Sequence, residues 1–133
     1  MGLSGKKIVE NFYTSDFYQN EKVLREYLHP EVELSWYGTT GLKKLNLDEF
    51  EAISLQLAQS YDSLRAEVEN ILSENGKVAI QFTYHVRTIE NPDEEMPLAH
   101  FMAFWELKDD KLYRGVQISQ LGEEVNEQPW SQD

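Results

Sequence analysis

Cysteine is absent from the chain, which rules out disulfides, thiolate zinc sites and cysteine nucleophiles and leaves nothing that calls for an oxidising compartment. A cytoplasmic location is the expectation. Positive charge is scarce as well: 12 Lys and Arg stand against 24 Asp and Glu, a formal net charge of −12. Such a surface repels phosphate backbones and anionic lipid, and no basic cluster reverses the sign locally, so neither nucleic acid nor membrane is expected as a partner. Long hydrophobic runs are missing. The longest wholly apolar stretch, Phe101 to Trp105, has five residues, against the ~20 needed to span a bilayer. The opening MGLSGKKIVEN has no apolar core of signal-peptide length, and Lys6 stands where a myristoylation pattern wants Ser or Thr. Three histidines at 29, 85 and 100 have no ligand spacing, and no glycine-rich phosphate loop is present, so no metal and no cofactor is expected.

What the chain does have is an ordered change of hydrophobic period. Its 133 residues suit one domain, able to hide roughly two thirds of its unfolded surface without staples. Residues 5–14 carry Ile8, Val9, Phe12 and Tyr13 on one stripe behind Ser4, and residues 20–28 carry Val23, Leu24, Tyr27 and Leu28 behind Asn20, which predicts two capped helices. Pro30 ends the second of them. Val32, Leu34 and Trp36 then alternate with Glu33, Ser35 and Tyr37, a strand closed by Gly38-Thr39-Thr40-Gly41. Asn46 with Glu49 forms a capping box, and Leu47, Phe50, Ile53, Leu57 and Tyr61 continue a third helix.

From Leu64 onward the pattern is strand. Residues 64–73 pair with 77–89 across Glu74-Asn75-Gly76, and 98–107 with 111–121 across Lys108-Asp109-Asp110. The acidic stretch Glu90 to Glu95 stands in solvent as a loop, and residues 123–133 form a polar tail, expected to fray, after a single domain over 1–122. The fold class is α+β.

Parity separates the faces of the predicted sheet. Val78, Ile80, Phe82, Tyr84 and Val86 form the more apolar set of their strand and should face the helices, leaving Gln81, Thr83, His85 and Arg87 behind. In the next strand Phe101, Ala103, Trp105 and Leu107 alternate with His100, Met102, Phe104 and Glu106. Both faces carry bulk, and the second suggests a homodimer through His85, His100, Met102 and Phe104. In the last strand Leu112, Arg114, Val116 and Ile118 alternate with Tyr113, Gly115, Gln117 and Ser119. If this small, polar set faces inward, the core encloses a lined hollow.

Three helices with a strand after the second, a run of long antiparallel strands, Leu28-His29-Pro30-Glu31-Val32, and the closing Gln120-Leu121-Gly122 together resemble the nuclear transport factor 2-like superfamily, in its SnoaL-like branch. The resemblance spans roughly residues 4–122 and implies a cone-shaped, curved antiparallel sheet wrapped around the helices, with an apolar pocket at the wide end and often a dimer through the outer face. The branch includes polyketide cyclases and is related to ketosteroid isomerases. On the isomerase pattern Phe12 falls at the helix-1 tyrosine, Trp36 at the base and Ala103 at the late aspartate. None of these can ionise, so enolising chemistry loses its base and its donor.

The residues expected to line the pocket are Phe12, Trp36, Tyr84, Phe101, Trp105, Gln117 and Ser119. Aromatic walls suit a flat or polycyclic ligand, and a phenol, an amide and a hydroxyl supply a few orienting groups. The same groups could equally satisfy one another or a buried water. A strand register shifted by one would bring His85 and His100 inward and make proton transfer the favoured chemistry. Three functions stay open: binding of a small apolar molecule, for example an aromatic, polyketide-like or steroid-like one, without conversion; a lyase, isomerase or cyclase reaction on such a molecule with Tyr84 as general acid; and a non-catalytic interaction subunit.

Overall fold

A computed structural model describes residues 4–122; the expected tail, 123–133, lies outside them. The chain order is α1 (Gly5–Thr14), α2 (Glu21–Tyr27), β1 (Leu28–Gly38), β2 (Gly41–Leu45), α3 (Leu47–Ser60), β3 (Tyr61–Glu74), β4 (Lys77–Thr88), β5 (Glu95–Lys108) and β6 (Lys111–Leu121). Three helices pack on a six-stranded, curved and unclosed sheet of order β2-β1-β6-β5-β4-β3. The α+β class therefore holds.

Local chemistry sets the helix ends. Ser4 Oγ accepts from the Lys7 amide, Asn20 Oδ1 from Lys22, and Asn46 and Glu49 bond reciprocally at 3.0 and 2.9 Å, the expected capping box. α2 stops at Tyr27, before His29 and Pro30, because Leu28 already has extended torsions and opens β1. A strand tolerates Pro30 where pairing is interrupted, and the β1–β6 register shifts between Leu28 and Glu33. β1 and β6 run parallel, whereas the other four pairings are antiparallel. A parallel pair needs a long crossover, and here the whole of β2 to β5 supplies it.

β2 was not expected. Its sequence Gly-Leu-Lys-Lys-Leu does not alternate cleanly, and only Leu45 is buried. Lysines on a short strand are what a sheet edge requires, since they discourage pairing with another chain. The loop expected at 90–95 lies one residue earlier, at 89–94, because β4 ends at Thr88 and Glu95 begins β5, where it makes a two-pronged ion pair with Arg65 of β3.

The parity of the two central strands is as read from the sequence. Val78, Ile80, Phe82, Tyr84 and Val86, and across from them Phe101, Ala103 and Trp105, are buried against the helices. Phe82 and Phe101 stack with ring centroids 4.9 Å apart. In β6 a bulge opposite Glu106 and Leu107 breaks the alternation. Leu112 consequently faces the core together with Gly115 and Gln117, while Val116 and Ile118 face outward.

Candidate functional site

Between α3 and the inner face of the sheet lies a cavity of about 370 Å³, within the ~300–1,000 Å³ usual for small-molecule sites. Its origin is a deficit of bulk. Ala99 and Gln117 stand on the inner face where larger apolar groups would fill the space. On α3, Phe50, Ile53 and Leu57 point at the opening and remain half-buried, while Ser54 alone is buried. Helix α3 thus roofs a hollow instead of lying on the sheet.

Six of the seven residues expected at the pocket line this cavity: Phe12, Trp36, Tyr84, Phe101, Gln117 and Ser119. Trp105 does not and is corrected to a core residue. It is 1% exposed, its ring lies over Gly115, and its Nε1–H donates to Tyr13 Oη at 2.8 Å. With Gly115 lacking a side chain, the indole settles into the sheet below the cavity floor. Sequence reasoning missed Tyr13 and Ser54, which line the cavity beside Phe17, and the rim residues Thr39, Thr40 and Lys43. Ser54 carried a signal: it interrupts the stripe of Phe50, Ile53 and Leu57 with a hydroxyl. Lys43 was hidden with the rest of β2.

The polar groups of the cavity are few and uncommitted. Tyr84, Gln117 and Ser54 are each more than nine-tenths buried, yet no fully sealed side-chain N or O atom lacks a partner among the described residues. Their polar ends therefore keep access to open space, and Tyr84 also borders a smaller cavity of about 170 Å³ beside Leu64, Arg65 and Ala66. Ser119 Oγ accepts from Trp36 Nε1–H at 2.8 Å, which leaves its own proton free to donate. Burial pushes the Tyr84 phenol well above the ordinary tyrosine range, with the neighbouring Tyr13 adding to the effect. Burial raises Tyr13 too, against the opposing pull of the Trp105 N–H. Both phenols are neutral hydrogen-bonding groups at physiological pH. No carboxylate or imidazole lines the cavity among the described residues.

His85 and His100 lie on the outer face of the sheet. His85 Nε2 meets Glu67 Oε1 at 2.8 Å. Thr83 donates to Glu69 Oε1 at 2.7 Å and lies 2.9 Å from His100 Nδ1. Among the described residues no group of three His, Cys, Asp or Glu is arranged to hold a metal. No helix there is long and apolar enough to cross a membrane.

A curved sheet folded over an internal helix, with an apolar chamber under a roofing helix, defines the nuclear transport factor 2-like class. The model of the SnoaL-like domain matches residues 9–115, and the chain belongs to that family. Solved structures agree in fold. IdmH from Streptomyces antibioticus, a candidate polyketide cyclase, superposes with a TM-score of 0.72 at 13% identity, covering 88% of this chain and 92% of that one. AclR from Streptomyces galilaeus, a candidate hydroxylase, gives 0.70 at 11% identity over 88% and 79%. A candidate polyketide cyclase from Acidithiobacillus ferrooxidans gives 0.69 at 11% over 90% and 91%. No curated protein matches this sequence.

Proposed function

We propose that this protein is a cytoplasmic SnoaL-like domain that binds a small, flat, largely apolar molecule in the cavity under α3, oriented by Tyr84, Gln117 and Ser119. The observation that carries the reading is a chamber with aromatic walls in which Tyr84, Gln117 and Ser54 have no side-chain hydrogen bond to the protein and Ser119 keeps a proton to donate. A few hydrogen-bonding groups left free among apolar walls are what a small-molecule site offers. The test is fluorescence titration with N-phenyl-1-naphthylamine, an uncharged aromatic probe. Ser54→Phe projects a ring into the cavity and should weaken binding at least tenfold, with circular dichroism confirming the fold. Binding lost in the outer-face variant Phe104→Ser and kept in Ser54→Phe would defeat the proposal.

A second reading keeps the same chamber and adds a reaction: a lyase, isomerase or cyclase step in which Tyr84 protonates or hydrogen-bonds a carbonyl oxygen. Its support is the presence of Tyr84 in the cavity wall and the candidate cyclases among similar folds. The lack of a lining carboxylate or imidazole weighs against it, since enolisation needs a base in reach. Turnover unchanged in Tyr84→Phe would remove this alternative.

We also propose a homodimer through the outer face. Met102 pairs across the ladder with Ile118, Phe104 with Val116, and Ile118 in turn with Tyr37 of β1. Met102, Phe104 and Ile118 are each 61% exposed. A contiguous apolar patch of this kind marks an interface, with His85 and His100 at its margin. Sedimentation should give a dimer, and Phe104→Ser with Ile118→Ser a monomer. A wild-type monomer at micromolar concentration would refute the interface.

A further inference from the structure

One residue at the rim of the cavity carries a formal charge. Lys43 of β2 is the partner of Trp36 in the ladder and, like Leu45 two residues on, lies on the inner side of the sheet. Its neighbour Lys44 pairs with Ser35 and has the opposite parity. Lys43 is thus the one formally charged residue lining the cavity among the described residues. It forms no ion pair there, although acids outnumber bases two to one in the chain. What sets it apart is its place, at an opening flanked by Thr39 and Thr40.

We infer that the ligand of this cavity is an organic acid, an apolar ring system carrying one carboxylate or comparable anion, bound with the rings inward and the anion at the rim on Lys43. The inference rests on the cavity being a ligand site, as proposed above. The orientation follows from desolvation. Tyr84, Gln117, Ser54 and Ser119 are neutral, and a bare carboxylate among them would lose its hydration without a counter-charge. At the rim the anion keeps part of its water and gains the ammonium. The field of the protein as a whole repels organic anions, so a local reversal of sign at the mouth is what admits one. Edge strands also use inward-pointing charges to block aberrant pairing. That role would move aggregation and leave ligand choice untouched.

The experiment displaces bound N-phenyl-1-naphthylamine with 2-naphthoate or with 2-naphthamide, which share a ring system and differ in charge. Lys43→Met should weaken naphthoate about fivefold, the scale of a solvent-accessible ion pair, and leave naphthamide within about twofold. Lys43→Arg should retain naphthoate binding, and about 0.5 M NaCl should erase most of the difference. Naphthoate affinity unchanged in Lys43→Met, or both competitors weakened alike, would overturn the charge assignment while the cavity reading stands. Failure of the uncharged probe to bind the wild type would overturn both.

Discussion

Gly115 is the position where the architecture beneath the site can be tested most sharply. A Cβ there would stand 2.7 Å from two ring carbons of Trp105 and 2.9 Å from a third. Contacts below 3.0 Å force a neighbour to move, and Trp105 has little freedom to do so. It is 1% exposed, and its N–H is held by Tyr13. Overpacking at a rigid ring costs about 1–3 kcal/mol. For a domain of this size that lowers Tm by about 4–10 °C. The effect should reach the cavity, because the indole can yield only by loosening its bond to Tyr13, which lines it. The assay is a double-mutant cycle. Gly115→Ala, Trp105→Phe and the pair are compared by urea denaturation, with binding of the uncharged naphthylamine probe measured on each. The smaller ring vacates the space the methyl needs, so the two changes should couple by at least about 1 kcal/mol. A stability change under about 0.5 kcal/mol for Gly115→Ala, or an equal cost in the Trp105→Phe background, would show that the ring is not wedged against this glycine.

Tyr13 and Tyr84 should stay protonated in the native protein while exposed tyrosines ionise. The stability their neutral forms contribute is complete below the unfolded tyrosine value of about 10 and is lost as pH rises toward their elevated folded values. Absorbance titration at 295 nm should therefore show two of the seven tyrosines ionising only with alkaline unfolding, whereas a single native transition near pH 10 contradicts the burial argument. Asp110 adopts φ 59° in the two-residue β5–β6 turn, a left-handed conformation that favours glycine. Asp110→Gly should stabilise the fold by a few tenths to about 1 kcal/mol in urea denaturation, and a destabilisation would refute the turn assignment. Asn46→Ala removes the capping box of the roofing helix and should cost about 1 kcal/mol. It should also weaken probe binding, because the cap fixes the first turn of the helix that carries Phe50 and Ser54 to the cavity; unchanged stability would mean that the cap is idle.

Where one local rule governed a segment, the sequence was readable. Capping side chains located α1, α2 and α3, the Asn-Gly turn aligned β3 with β4, and period-two alternation placed Phe82, Phe101 and Trp105 on the inner face. The failures came where two rules competed. β2 is a strand by position and a solvated loop by composition, since an edge must carry charge. Its omission also concealed Lys43. Trp105 shares parity with the true wall residue Phe101. Only the missing side chain at Gly115, two strands of information combined, tells the core ring from the lining ring. The bulge in β6 likewise reverses parity in mid-strand without leaving a mark in the residue types.

The two sheet histidines show why parity bears so directly on chemistry. Thr83 has one hydroxyl proton and gives it to Glu69, so the contact with His100 requires Nδ1–H of the ring to donate to Thr83 Oγ1. The other ring nitrogen, Nε2, is then the acceptor of the neutral ring. A base so prepared, with its tautomer fixed by a carboxylate through a hydroxyl, would be a credible general base if it faced the cavity. It faces the outer surface, beside the apolar patch of Met102 and Phe104. A shift of one residue in β4 and β5 would move these groups to the cavity and Tyr84 and Phe101 out of it. The packing of Phe82 and Phe101 against one another, buried and parallel to within 4°, opposes that shift. The same aromatic packing that builds the chamber wall thereby keeps imidazole chemistry out of it, and leaves the chamber with neutral donors suited to holding a molecule in place.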